Sequence, residues 1–140
     1  MIGLPFQTAE HLADDLLFFR DFDIDMCGMG PYLEHSQTPM WALRNNILPP
    51  EDRLTLSLKM VALLRLMMPD INIAATTAMQ TLHPEGREMA VMAGANVIMP
   101  NMTIKDVRAN YQIYENKPGI EDDAAISKSK LEEFLSQKNI

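Results

Sequence analysis

Small hydroxylated and thioether side chains follow two short apolar runs, and they are the best candidates for a functional site in this sequence. Thr76 and Thr77 come directly after the run INIAA, and Met99 ends the run ANVIM. Hydroxyl and thioether groups with few carboxylates among them suit the binding of a bulky or anionic ligand better than hydrolysis by a general acid and base. The pattern therefore predicts a binding site for a small molecule.

A metal site and a reactive thiol are both less favoured by the sequence. Glu34 and His35 are adjacent, but a lone histidine beside a loop carboxylate is usually solvated rather than bound to a metal. Cys27 is the single cysteine, and no basic residue stands near it to activate the thiol. We expect no metal ligand among these residues and an inert, buried Cys27.

The composition restricts the possible partners. The formal net charge is −7 and the pI is about 4.8, which argue against nucleic acid and an anionic membrane, because both select a basic surface. No apolar run approaches the roughly 18 residues that a membrane-spanning helix needs, and no signal peptide is visible at the N-terminus. A single cysteine excludes an internal disulfide and fits a reducing compartment. We therefore expect a cytoplasmic protein.

The elements that must position the candidate residues are predicted to alternate between helix and strand. Thr8 caps the first helix, and Pro49 and Pro50 precede the longest helix, which Pro69 ends. Such alternation is typical of parallel strands joined by helical crossovers. The predicted helices cover residues 8–20, 51–68, 84–92, 103–114 and 122–137, and the predicted strands cover residues 23–30, 72–76 and 95–99.

Three strands are too few for an independent parallel sheet. Such a sheet leaves two unpaired edges and much of one face uncovered, so we expect the chain to be part of a larger assembly. In β/α folds the loops after the carboxyl ends of the strands meet at one rim, and functional residues lie there. The sequence thus predicts that Thr76, Thr77 and Met99 converge at such a rim.

Four segments resemble the C-terminal half of the radical S-adenosylmethionine enzyme family. The resemblance is strongest to the HydE-type maturases of FeFe-hydrogenase, and biotin synthase and methylornithine synthase are more distant relatives. It covers residues 1–119 and implies an α/β fold, a half TIM-type barrel whose parallel strands correspond to strands five to eight of the whole barrel. Residues 1–120 would form this half-barrel and residues 121–140 a C-terminal helix. The segments are GLPFQT, LADDLLFFRDFDIDMCGMGPYLEHSQTP, NIAATTAMQTLHPEGREMAVMAGANVIMPNMT and YQIYENKP.

The resemblance also implies two groups of site residues. One is the turn beside the adenosyl part of S-adenosylmethionine, where small residues let the backbone approach the nucleoside. The other lines an internal chamber for the substrate. The first group comprises Gly3, Leu4 and Pro5, and the second comprises Thr76, Thr77, Met99 and Tyr111.

Three departures from the family pattern limit what this chain does alone. The CxxxCxxC motif that holds the 4Fe-4S cluster is absent, and one cysteine cannot replace three thiolate ligands. Gly119, Ser127 and Lys130 stand where some maturases have cysteines for an accessory cluster, so none is expected. Phe6 replaces the glycine of the usual GLPGQT turn. We expect a chain that is truncated relative to the family and is not catalytic by itself.

The leading hypothesis is a C-terminal fragment of a HydE-like radical S-adenosylmethionine enzyme. It would supply part of the cofactor site and the substrate chamber, and would associate with itself or with an N-terminal half-barrel. An alternative is a non-catalytic structural subunit that completes a separately encoded N-terminal half. An aldolase-like enzyme is disfavoured, because no lysine stands at a strand end to form a Schiff base.

Overall fold

Helices and very short parallel strands alternate along the chain. The computed structural model describes residues 1–99, 107, 129 and 132–137. The elements are α1 (Ala9–Asp21), β1 (Met26–Cys27), a 3₁₀ helix (Pro39–Asn46), α2 (Pro50–Met67), β2 (Asn72–Ile73), α3 (Thr77–Leu82) and α4 (Gly86–Met92), and residues 132–137 are also helical.

The first helix begins where the sequence predicts. The Thr8 hydroxyl accepts a hydrogen bond from the His11 amide at 3.4 Å, and His11 Nδ1 accepts one from the Thr8 amide at 3.2 Å. This reciprocal cap satisfies two amides that the helix itself leaves unpaired. Leu12 and Leu16 then lie one turn apart on the buried face of α1. The predicted helix over residues 8–20 is confirmed.

Four extended segments lie side by side in the order in which they occur along the chain. β1 pairs in parallel with β2, with Met26 opposite Asn72. An isolated parallel bridge joins Ile2 to Pro31 on one side, and another joins Ala74 to Val97 on the other. Each described pair is parallel, so the carboxyl ends of all four segments lie at the same edge.

The strands are shorter than predicted. Residues 23–30 contain only the two-residue β1, because Asp23 has a φ of 55° and interrupts the extended backbone before it. The predicted strand over residues 72–76 stops early, because Thr76 already forms the N-cap of α3. The segment over residues 95–99 forms a single bridge at Val97, three residues after a turn in which Gly94 has a φ of 122°.

The helices agree more closely with the sequence patterns. α2 occupies nearly the predicted residues 51–68, whereas α4 begins two residues later than predicted, at Gly86. The 3₁₀ helix and α3 were not predicted, since the first lies in a proline-rich connection and the second is only six residues long. The predicted helix over residues 103–114, the domain boundary at residue 120 and most of the helix over residues 122–137 lie outside the described residues.

The core lies between α2 and the extended segments. Val61 and Leu64 of α2 and Ile73 of β2 are fully enclosed, and Met79 of α3 and Ala90 of α4 close the same cluster. Leu54 of α2 is also buried, whereas Leu58 is only half-buried. Among the described helices, none is long and apolar enough to cross a membrane.

Arg65 of α2 donates hydrogen bonds to residues at the amino ends of two neighbouring extended segments. Its Nε donates to the Gly94 carbonyl at 2.9 Å, and one terminal nitrogen donates to the Ile71 carbonyl at 2.9 Å. The other terminal nitrogen donates to Asn96 Oδ1 at 3.0 Å, and the same oxygen accepts the Ile73 amide at 2.8 Å. This network lies before β2 and before Val97, at the edge opposite the candidate site.

Candidate functional site

The turn that begins at Gly3, directly after the extended segment containing Ile2, is stabilised by hydrogen bonds to the side chain of Gln7. Its Oε1 accepts the amides of Gly3 at 2.7 Å and Leu4 at 3.2 Å, and its Nε2 donates to the Met1 carbonyl at 3.0 Å. Gly3 has a φ of 81°, which a side chain rarely tolerates, and Phe6 has a φ of 62°. The turn is therefore rigid, and its two amides are already occupied by Gln7.

Leu4 and Pro5 lie at the wall of a shallow groove beside this turn. The groove encloses about 570 Å³ and is bounded on the far side by His11 and Asp15 of α1. Phe6 also contributes to its wall, and its side chain is 65% exposed. Since the amides of the turn are occupied, what it offers to a ligand is its apolar side chains.

Arg53, in the first turns of α2, lies directly beneath the Gly3 turn. Only 1% of Arg53 is exposed, although it carries a charge. A Cβ placed on Gly3 would approach Arg53 Cγ to 2.7 Å, so only glycine leaves room for this side chain. The stem of Arg53 therefore sets how close the turn can come to α2.

The guanidinium of Arg53 reaches the segment that follows β1. Its Nη1 lies 2.5 Å from Glu34 Oε2 and its Nη2 lies 3.2 Å from Glu34 Oε1, so that two parallel bonds join the charges. The same Nη1 donates to the Tyr32 carbonyl. Nε of Arg53 is buried and has no hydrogen-bond partner within the described part of the chain. A buried arginine thus fixes two of the strand ends against α2.

The contact with Arg53 changes the pKa of Glu34. Its partial burial would raise the pKa of the carboxyl group, but hydrogen bonds from Arg53 and from the backbone, with the positive charge of Arg53, hold the pKa below its ordinary value. The carboxylate therefore stays ionised and paired at neutral pH. It is a structural partner of Arg53 rather than a proton donor or acceptor.

Thr76 lies at the same rim, after the extended segment that contains β2. Its hydroxyl packs onto Gly30, where a Cβ would collide with it, and this oxygen is buried without a hydrogen-bond partner among the described residues. Thr76 is the N-cap residue of α3, yet its side chain does not cap the helix.

Gly3 and Thr76 are linked through the backbone between them. The Ile2 amide donates to the Gly30 carbonyl at 3.0 Å, and the Tyr32 amide donates to the Ile2 carbonyl at 2.7 Å. Gly30 thus contacts the segment that carries Gly3 on one side and Thr76 on the other. The structure brings these two predicted site residues to one rim.

The other residues predicted for the substrate site are Thr77, Met99 and Tyr111. Thr77 is the first residue of α3, directly after Thr76. Met99 is 59% exposed and follows the Val97 bridge, whose carbonyl accepts the Ala75 amide at 2.8 Å. Met99 therefore stands at the end of the segment next to that of Thr76. Tyr111 lies outside the described residues.

Arg53 was not predicted from the sequence as a member of this rim. Arg53 carried a usable signal, because it falls on the buried side of α2 at helical spacing from Ser57, Met60 and Leu64. A charged residue at an apolar position predicts a buried ion pair. Gly30 gave no comparable signal, since its role depends on the approach of Thr76.

Within the described residues, no group of three histidine, cysteine or acidic side chains could hold a metal ion. Cys27 is buried, and this burial raises the pKa of its thiol. One enclosed, protonated thiol does not fit a 4Fe-4S cluster, which requires several accessible thiolates.

Comparison with known proteins identifies the family. The model of the Biotin and Thiamin Synthesis associated domain matches residues 34–132. The chain belongs to this family. It is also 51% identical over 117 residues to the [FeFe] hydrogenase maturase subunit HydE of Thermotoga maritima, an alignment that covers 84% of this chain and 32% of that protein. The chain spans about a third of the length of that relative.

These findings confirm the resemblance to the HydE-like radical S-adenosylmethionine family. The domain match begins at Glu34 and includes α2, β2, Thr76 and Met99. Membership implies S-adenosylmethionine and a 4Fe-4S cluster as cofactors of the full-length enzymes. The Gly3 turn, with its close backbone approach and apolar wall, is compatible with the adenosyl group, whereas Cys27 is not compatible with the cluster.

Proposed function

We propose that this chain forms the C-terminal half of the β/α barrel of a HydE-like radical S-adenosylmethionine enzyme acting in the cytoplasm. The observation that supports the proposal most directly is the arrangement of the four extended segments. They are parallel and lie side by side in chain order. Barrels are built in this way, whereas doubly wound sheets reverse their strand order.

In this proposal, Gly3, Leu4 and Pro5 contact the adenosyl part of S-adenosylmethionine. Leu4 and Pro5 offer apolar contacts at the groove, and the Gln7 clamp keeps the turn in one conformation. A preformed turn avoids an entropic loss on binding. The cluster and S-adenosylmethionine would supply the radical chemistry in the whole enzyme, and this chain alone is not catalytic.

Thr76, Thr77, Met99 and Tyr111 would line the substrate chamber. The support comes from the Thr76 hydroxyl, which has no hydrogen-bond partner among the described residues, since a buried polar group without a partner is destabilising by about 1–3 kcal/mol. A rotation about χ1 would let this hydroxyl donate to a ligand oxygen or nitrogen. Substrate binding would then relieve the unsatisfied state.

A calorimetric titration with S-adenosylmethionine tests the adenosyl site. We expect saturable heat with the unmodified chain, and weaker binding in Leu4→Ser, which removes apolar surface from the groove wall. Met92→Ser is the matched control, because Met92 is exposed on α4, far along the chain from the turn. Absence of heat at millimolar ligand would contradict a cofactor site in this chain alone.

The second candidate is a non-catalytic subunit that completes a separately encoded N-terminal half-barrel. It is favoured by the single cysteine and by Phe6 in the turn. Co-expression with a separately encoded N-terminal half-barrel that carries the CxxxCxxC motif tests it. Stable co-purification without any S-adenosylmethionine binding would favour this candidate over the first.

A further inference from the structure

We propose that Arg53 is a positioning residue that sets the Gly3 turn relative to the strand end at Tyr32 and Glu34. Its relevance to a ligand depends on the proposed function, but its effect on the rim can be measured without any ligand. Neither the family match nor the similarity to a maturase assigns it a role.

The backbone of Arg53 is fixed independently of its side chain. Its amide donates to the Pro49 carbonyl at 3.0 Å, and its own carbonyl accepts the Ser57 hydroxyl at 2.8 Å. Ser57 is fully buried. The side chain of Arg53 therefore extends from an anchored position on α2.

That side chain contacts two strand ends at once. Its stem packs against Gly3, and its guanidinium binds both oxygens of Glu34 and the Tyr32 carbonyl. A planar guanidinium can make these bonds together, and a lysine ammonium cannot reproduce the fork. The two strand ends are therefore positioned by the same group, and displacement of Arg53 moves both.

An apolar side chain would fill the same space with no charge to bury. Buried ion pairs are often no more stabilising than apolar replacements, so their value can lie in fixing one arrangement. The Tyr32 amide also donates to the Ile2 carbonyl, directly before the turn. Arg53 thus acts on the backbone pairing that joins the turn to the next segment.

Amide hydrogen exchange in Arg53→Met tests the proposal. Methionine keeps an unbranched stem but removes the guanidinium. We expect exchange of the Gly3 and Tyr32 amides to accelerate by on the order of tenfold, because their local opening no longer breaks the Arg53 contacts. The amides of Ala74 and Ala75, which bond to Cys27 and Val97, should keep their wild-type rates.

Arg20→Met is the matched control, since Arg20 pairs with Asp21 on the exposed surface of α1. It should leave all four amides unchanged. Equal acceleration at all four amides in Arg53→Met would show a purely structural role, and unchanged rates would show none. Either result overturns the proposal.

Two further variants keep the test decisive if Arg53→Met does not fold. Arg53→Lys retains the charge and should give an exchange rate at Gly3 between wild type and Arg53→Met. Arg53→Met with Glu34→Gln removes both charges and should fold while retaining fast exchange at Gly3 and Tyr32. Slow exchange in the double variant would overturn the proposal.

The affinity for S-adenosylmethionine is measured in a separate experiment from amide hydrogen exchange. Where the wild-type chain binds S-adenosylmethionine, Arg53→Met should raise the Kd about tenfold or more, and Arg53→Lys should recover part of the affinity. Where the wild-type chain does not bind it, the proposed cofactor site fails, but the exchange experiment still decides the role of Arg53.

Discussion

Phe6 combines two unfavourable features in one residue. Its φ of 62° lies in the left-handed region, and its ring is 65% exposed, so little packing offsets the strain. Glycine adopts the same conformation without strain. The Gln7 hydrogen bonds explain how the turn keeps its shape with a bulky side chain in place.

Phe6→Gly is therefore expected to stabilise the chain. The left-handed conformation costs a bulky residue about 1–2 kcal/mol, and the greater freedom of glycine when unfolded offsets part of this. We expect a net gain of roughly 0.5–1 kcal/mol in the free energy of unfolding, measured by urea denaturation. Phe22→Gly is the control, since Phe22 is 71% exposed with an ordinary φ of −85°. Lower stability in Phe6→Gly would show that the ring is needed for packing.

Gly30 and Gly28 are two residues apart but differ in their surroundings. A Cβ on Gly30 meets the Thr76 hydroxyl, whereas a Cβ on Gly28 meets no atom within 4 Å. Gly30→Ala should lower the free energy of unfolding by about 1–3 kcal/mol, as overpacking does. Gly28→Ala should be neutral or slightly stabilising.

The double variant Gly30→Ala with Thr76→Ala identifies the cause of this loss. Removal of the Thr76 hydroxyl opens the space that the new methyl group needs, so most of the lost stability should return. Thermal denaturation of the three variants measures the coupling between the two sites. Additive losses would mean that the Thr76 hydroxyl does not restrict Gly30.

At the scale of elements, Asn96 connects β2 to the segment that contains Val97. Its Oδ1 accepts the buried Ile73 amide and Arg65, and its Nδ2 donates to Asn72 Oδ1 at 3.2 Å. Asn96→Ala leaves the Ile73 amide without this acceptor, which costs about 1–3 kcal/mol. Asn45→Ala, at an exposed position in the 3₁₀ helix, should change stability by less than about 0.5 kcal/mol. Equal effects of the two substitutions in urea denaturation would contradict this role.

The ion pair between Arg53 of α2 and Glu34, in the segment that follows β1, predicts that stability depends on pH. The pKa of Glu34 is lower in the folded chain than its ordinary value of 4.5. The stabilisation from this group is therefore present above pH 4.5 and is lost as the pH falls through the folded pKa. The difference in unfolding free energy between wild type and Glu34→Gln should be constant near neutral pH and should shrink in acid. A difference that grows on acidification would contradict the ion pair.

Prediction from sequence succeeded where a pattern extends over several turns. Thr8 predicted the start of α1, and Pro49, Pro50 and Pro69 bounded α2 closely. It failed for α3, whose six residues include two threonines and give too short a period to detect. That helix is fixed by tertiary packing, since Met79 is fully buried and its carbonyl contacts Gly86.

The same contrast between local sequence patterns and long-range contacts holds for the candidate site. Thr76 was predicted as a site residue because hydroxylated residues after an apolar run are visible in the sequence, and Gly3 was predicted from the family resemblance. Arg53 and Gly30 act through residues far from them along the chain, namely Glu34 and Thr76. Such partners cannot be assigned from spacing within one element.

At the scale of the molecule, the sheet ends on each side in a single bridge within the described part of the chain, at Ile2 and at Val97. Backbone groups at such edges form hydrogen bonds with other chains unless they are covered. We expect the chain to self-associate at micromolar concentration, as measured by light scattering with size-exclusion chromatography. Addition of an N-terminal half-barrel should replace these oligomers with a one-to-one complex. A sharply monomeric chain at the same concentration would contradict this expectation.

Helix α2 carries an arginine near each of its ends, and the two have different neighbours. Arg53 contacts the loops at the carboxyl edge, and Arg65 contacts the backbone at the amino edge. The two edges of the sheet are therefore fixed to opposite ends of one helix of 18 residues, and the length of that helix sets the spacing between them.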